Sequence, residues 1–177
     1  VKIAVVMILL MLLSACSIPA SRHDGSVVNG TALRPSGKVL ILGVRDGQEQ
    51  GQDPAPGSGH ALVAGIRKVL TEHSVPFSTL ESVNLEDGYA EAKRNNFDYV
   101  MKSVITLWED NATAWSGNGD KLKISVEVYD VRTRQLVAFG EHYRVGNGFT
   151  FLSGSPDRYI DESANGALSK MYGWTAH

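Results

Sequence analysis

The sequence predicts an α/β fold on a single mixed sheet in the order βαβαβββα, with helices packed on the sheet, a parallel first half and an antiparallel meander as the second half. Two patterns predict it. Residues 38–44, Lys-Val-Leu-Ile-Leu-Gly-Val, form a continuous apolar run rich in branched side chains, which suits a strand buried on both faces. Residues 121–130 instead alternate, with Leu122, Ile124, Val126 and Val128 on one face and Lys123, Ser125 and Glu127 on the other, the mark of an antiparallel strand with one wet face. Helical segments joining the first three strands require right-handed crossovers and make those strands parallel neighbours.

Taken in order, the chain first shows Lys2 and an unbroken apolar run over residues 3–13, ending in Leu13-Ser14-Ala15-Cys16. A charged start, a short apolar run and small residues before a cleavage point mark a signal peptide, and the run is too short to span a hydrocarbon core of about 30 Å. Leu13-Ser14-Ala15-Cys16 resembles the bacterial lipobox, which implies cleavage before Cys16 and acylation of its thiol. Residues 1–15 are then a lipoprotein signal peptide. Several acyl chains, each burying about 0.8 kcal/mol per CH2, hold a protein permanently where one holds it reversibly. Ser17, rather than Asp, after the acylated residue implies by the same resemblance the outer membrane, with the domain on its periplasmic face. Cys16 is the only cysteine, so no internal disulfide and no zinc site built on cysteine pairs is available.

Residues 16–37 are rich in turn formers and lack apolar periodicity, and read as a flexible tether reaching roughly 25 Å. The periplasmic α/β domain is expected over residues 38–177. After its first strand, Ser58 stands where it can cap a helix with Leu62, Val63, Ile66, Val69 and Leu70 on one face, closed by Pro76. Residues 77–80 form a short strand and 85–96 a helix with Leu85, Tyr89 and Ala92 inward. Residues 97–108 form a long strand. A hairpin turn at 130–135 leads to the last strand, 136–145. Beyond a Gly-rich stretch, Ser155 and Pro156 take the cap and first positions of a terminal helix with Tyr159, Ile160, Ala164, Ala167, Leu168 and Met171 at helical spacing.

Composition narrows the function. The 17 basic and 19 acidic residues are scattered, without the basic stripe that neutralises phosphates, so nucleic acid is not an expected partner. The 5 histidines show neither the i, i+4 helical spacing nor the neighbouring Glu of a zinc hydrolase, so neither metal nor cofactor is expected. His142 reads as a satisfied surface side chain, and no G-x-S-x-G nucleophile elbow occurs. Gly57-Ser58-Gly59 at a helix start can hold an anion on free N–H groups, or simply be a flexible connection. Glu109 and Asp110 are adjacent carboxylates, but neighbours on a strand point to opposite faces.

The most distinctive stretch is Leu107-Trp108-Glu109-Asp110-Asn111-Ala112-Thr113-Ala114-Trp115-Ser116-Gly117, which holds two of the three tryptophans. Aromatic rings beside carboxylates and amides stack on sugars or anchor protein partners; equally, both indoles can pin a long loop to the sheet. Phe97-Asp98-Tyr99-Val100, Trp108-Glu109-Asp110, Ala112-Thr113, Trp115-Ser116-Gly117, Tyr129-Asp130-Val131 and Thr133 together resemble a family of bacterial envelope lipoproteins catalogued as a domain of unknown function. The resemblance runs over roughly residues 39–172 and implies an envelope domain without naming an activity. The order of elements is also similar to the amino-terminal domain of the Tol translocation protein and to the curli-secretion and penicillin-binding-protein-activator lipoproteins.

The expectation is an outer-membrane lipoprotein, held by lipid on Cys16, that binds an envelope protein or a glycan such as peptidoglycan without catalysis. Its contact surface is expected at Trp108, Glu109, Asp110 and Trp115. The alternative is an envelope hydrolase acting on peptidoglycan or lipid, which needs Glu109, Asp110 and His142 gathered in a cleft. A small-ligand sensor would need a concavity beside Ser58.

Overall fold

A computed structural model describes residues 20–27, 32–111, 118–146 and 155–175. Its strands are β1 (Ala20–Val27), β2 (Val39–Leu42), β3 (Phe77–Leu80), β4 (Tyr99–Glu109), β5 (Lys121–Asp130) and β6 (Leu136–Val145). The helices are α1 (Ser58–Glu72), α2 (Leu85–Arg94) and α3 (Ile160–Tyr172), the last entered through a 3-10 turn, Pro156–Tyr159. One mixed sheet results, in the order β1-β6-β5-β4-β2-β3. β2 runs parallel to β3 and β4, and all other neighbours are antiparallel.

The apolar run of β2 is buried at every position, and its side chains divide between two cores. Val39 and Ile41 join Leu62, Ile66 and Leu70 of α1 and Ala164, Leu168 and Met171 of α3 on one face. Leu40 and Leu42 meet Tyr89 and Ala92 of α2 on the other. The alternation of β5 holds throughout, with Leu122, Ile124, Val126 and Val128 all at 0% exposure. Of its outward residues, Tyr129 packs edge-on against Tyr89 of α2, and along the rest of that face ion pairs cross the strands: Lys102–Glu127 at 3.5 Å, Lys121–Glu109 at 2.7 Å and Lys123–Glu141 at 2.8 Å.

Two features depart from expectation. The segment expected to be a tether carries β1, which pairs antiparallel with β6 from Ala20↔Val145 to Val27↔Ala138. Residues 20–27 have no apolar alternation, so backbone bonds to the otherwise open edge of β6 hold them there. The second departure is at the start of α1. Gly57 is the N-cap, and Ser58 lies inside the helix at 2% exposure, accepting from Gly47 N–H at 2.8 Å and donating to the Ala55 carbonyl at 2.8 Å.

β6 and α3 approach closely because small residues face each other. An added Cβ on Gly140 would sit 1.9 Å from the Ala167 carbonyl oxygen, and one on Gly166 would sit 2.2 Å from His142 Cδ2. The inward row of β6 is therefore Ala138, Gly140 and His142, while the larger Phe139 and Tyr143 face the other way.

Candidate functional site

β4, β5, β6 and β1 bring their ends together at one edge of the domain, where Glu109 pairs in register with Lys121, Lys121 with Val145, and Val145 with Ala20. This end carries the Trp-Glu-Asp stretch. A bulge in β4 between Ile105 and Leu107 inserts one residue and reverses the phase of the strand. Ile105 and Trp108 consequently share the core face, and Trp108 is 5% exposed. This corrects the expectation of a contact surface at Trp108: its indole is a packing group with almost no surface to offer. Glu109 turns to the opposite face and pairs with Lys121, as above, while Asp110 is exposed just beyond the strand.

The base of the following loop is clamped. Asp120, 4% exposed, accepts from Asn111 N–H at 3.0 Å and from Arg158 Nη2 at 2.6 Å, while its own carbonyl accepts from Gly146 N–H at 2.8 Å. The Asn111 amide adds a bond to the Gly119 carbonyl at 3.0 Å. Arg158 and Arg144 both lie over the Tyr159 ring, at 4.8 and 5.1 Å, and Arg144 pairs with Glu162 at 3.0 Å. The end of β4 and the 3-10 turn are thereby tied to the Asp120 carboxylate, and the end of β6 to its backbone carbonyl. Partial burial, and then the negative charge of Asp120, Glu49 and Asp157, hold the Asp110 carboxyl above the ordinary carboxylate value against the pull of Arg158. Trp115 and Cys16 lie outside the described residues.

His142 is not a surface residue. It is 1% exposed on the face beneath α3, with Nδ1 3.0 Å from Ser163 Oγ, Nε2 2.9 Å from Ser21 Oγ and Nε2 3.9 Å from Glu162 Oε1. A nucleophile triad needs its carboxylate on the nitrogen opposite the nucleophile, whereas here serine and glutamate share one nitrogen and a second serine takes the other. The group joins β1, β6 and α3. It also separates the hydrolase candidates: His142 opposes core residue Ile124, whereas Glu109 pairs with Lys121 on the other face. Glu109 and His142 thus lie on opposite faces of the sheet, and among the described residues no group of three or more His, Cys, Asp or Glu is arranged to hold a metal ion.

The glycine-rich connection before α1 is ordered around its own anion. Asp46 accepts from Gly59 N–H at 2.8 Å and Gly57 N–H at 3.1 Å, occupying the donors that an external anion would use. Those backbone bonds hold its carboxyl below the usual value against the opposing effect of burial. A carboxyl lowered on folding stabilises above its unfolded value, near pH 3.9, and that contribution is lost as pH falls through the folded value. Asp46→Ala is expected to cost about 1 kcal/mol at pH 7 and to cost nothing at the acid end of the titration, read from urea midpoints across pH. A cost that did not diminish toward low pH would show that the carboxylate is not the cap.

The site defines the class first: an α/β domain with one mixed sheet, two helices on one face, one on the other, and strand ends tied to a buried Asp120 at one end of the sheet. No family model matches the chain, including at the Trp-Glu-Asp and Trp-Ser-Gly motifs, and no curated protein matches it. Solved structures do. PelC from Paraburkholderia phytofirmans, described as a dodecamer, matches at a TM-score of 0.66 and 15% identity over 88% of this chain and 98% of that one. A variant of the same dodecamer matches at 0.64 and 16% identity over 86% and 98%. Lipoprotein GNA1162 from Neisseria meningitidis matches at 0.49 and 10% identity over 62% and 83%. At these identities the likeness to PelC is one of fold.

Proposed function

We propose that this chain is a lipid-anchored protein of the periplasmic face of the outer membrane, a non-catalytic module that assembles with an envelope partner through the loop between Asn111 and Asn118. The observation that carries this reading is the position of β1. The strand begins at Ala20, four residues after the lipobox cysteine, and is fixed along β6. Four residue steps span at most about 14 Å, so lipid on Cys16 would hold the Ala20 end of the sheet against the headgroups, not free on a long tether. The Asp120 clamp belongs to that same end, and the chain between Asn111 and Asn118, which includes Trp115, leaves from it.

A partner reached from this end is one that lies in or along the membrane, and Trp is the residue type that most often anchors such contacts. The first candidate is a second copy of the chain, because the fold covers nearly all of a PelC chain described as a dodecamer. Crosslinking in intact envelopes tests the proposal. Wild-type protein is expected to give a discrete adduct, with itself or with an envelope protein, that disappears in Trp115→Ala while the variant keeps its melting temperature. An adduct of equal yield in both proteins contradicts a contact through the loop.

A further inference from the structure

We propose that the free part of β4's edge binds an extended segment of a partner protein, which adds to the sheet as a strand beside residues 102–109. β2 pairs with β4 only as far as Ile41↔Met101, whereas β4 runs on to Glu109. Past Met101, the side of β4 that faces away from β5 makes no backbone bond to any described residue. Tyr99 N–H donates to the Lys38 carbonyl on the β2 side. A strand repeats every two residues, so Ser103 and Ile105 turn their N–H and C=O groups to that same open side.

Two adjoining hollows follow this edge. One, of about 480 Å³, is lined by β4 residues 102–105 in unbroken succession, and the other, of about 670 Å³, by residues 106–109. Successive side chains of a strand point to opposite faces, so a hollow that touches every residue in turn runs along the strand's edge and not across one face. Gln48, from the loop after β2, lines both hollows and joins them. Together they accompany β4 for about 26 Å, room for a strand of ordinary length.

The lining selects the occupant. An unpaired strand edge offers donors and acceptors alternating at the repeat of an extended peptide, a pattern that sugar and lipid chains lack. Val83 and Val104, two of the three large hydrophobics exposed among the described residues, both line the first hollow and offer aliphatic contact to alternate side chains. Ser103 lines it too, and its hydroxyl is buried without a hydrogen-bond partner among the described residues. Charge differs between the two ends. Arg45 at the first hollow and Glu49 at the second make no ion pair among the described residues, whereas Lys102 pairs with Glu127 and Glu109 with Lys121. The complementary segment is therefore aliphatic at alternate positions, with a carboxylate at its Arg45 end and a cation at its Glu49 end.

The test titrates the full lipidated chain, in neutral detergent micelles, with fluorescent capped octapeptides. Asp-Val-Thr-Val-Thr-Val-Thr-Lys serves for a parallel strand and the reversed sequence for an antiparallel one. One of the two is expected to bind and to slow amide exchange in residues 102–109. Two N-methylated copies of that probe, modified at alternate residues, separate the peptide's two edges. The copy that blocks the donors facing β4 is expected to bind at least tenfold more weakly, and the other to bind as the parent does. Arg45→Glu is expected to weaken the probe at least tenfold at an unchanged melting temperature, and a probe with Lys in place of Asp to restore binding. Arg67→Glu, an exposed cation on α1, changes neither. Failure of both probes to bind, equal loss in both methylated copies, or binding without protection of residues 102–109 would overturn the proposal. Self-association of the chain that the probe displaces, read by sedimentation at rising concentration, would overturn it in favour of a second copy at the edge.

Discussion

Gly140→Ala is expected to destabilise the domain by about 3 kcal/mol, lowering the melting temperature by roughly 6–12 °C. An alanine ordinarily gains over glycine in a strand, because the unfolded chain loses freedom, but that gain is at most about 1 kcal/mol. Here the new methyl would meet backbone: its position lies 1.9 Å from the Ala167 carbonyl oxygen and 2.9 Å from the carbonyl carbon. A carbonyl inside a helix cannot rotate away, so α3 must lift from the sheet. Lifting it opens gaps around Leu168 and Met171, both at 0% exposure, and strains the His142–Ser163 contact. Gly51→Ala provides the contrast. Its φ of 82° disfavours a side chain, but nothing lies within 4 Å, so a cost near 1 kcal/mol is expected there. Equal losses at the two positions, measured from urea midpoints, would show that the helix does not sit so close.

The second large effect concerns the anchor. Cys16→Ala alone would also block processing at the lipobox and leave the apolar run attached, so the informative change replaces residues 1–16 with an ordinary cleavable secretion signal. The mature chain then begins at Ser17 without lipid. It is expected to move almost completely from the membrane fraction to the soluble periplasm, because no helix among the described residues is long and apolar enough to cross a membrane and the acyl chains would supply the binding. The melting temperature should stay unchanged, since β1 begins downstream of the deletion. Retention of the unlipidated chain in the membrane would mean that another surface or partner holds it.

The pattern of β2 and β5 was legible because burial there is decided by the local period. Elsewhere the deciding contacts are distant in sequence. Period-two reading of β4 from Met101 through Ile105 puts Trp108 outward, and the bulge that turns it inward depends on pairing with β5. β6 is misleading for a different reason: its bulky Phe139 and Tyr143 face away from α3, because only Ala138 and Gly140 leave room for the helix. The strand β1, composed of Ala-Ser-Arg-His-Asp-Gly-Ser-Val, has no hydrophobic pattern and exists through its backbone bonds to β6.

The helix cap shows the same limit on a smaller scale. Ser58 is the nearest residue of the right type, yet Asp46 reaches the free N–H groups of α1 from 11 and 13 residues upstream. At the candidate site, the importance of Asp120 was not legible because Arg158 and Asn111 are brought to it by two separate elements, the 3-10 turn and the end of β4. The Trp-Glu-Asp stretch lies at the same end of the sheet as the Asp120 clamp, although its first residue serves the core.

The orientation of the domain on the membrane is the central claim, and depth-dependent quenching tests it most directly. With Cys16, the only cysteine, acylated as proposed, no other thiol would react, so single cysteines introduced as Asp110→Cys, at the Ala20 end, and Arg132→Cys, at the far end, can each carry an environment-sensitive fluorophore. In vesicles containing bromine-labelled phospholipids, the label at position 110 is expected to be quenched and the label at 132 to behave as in water. Stronger quenching at 132 than at 110, in protein that remains lipidated and membrane-bound, would contradict the account.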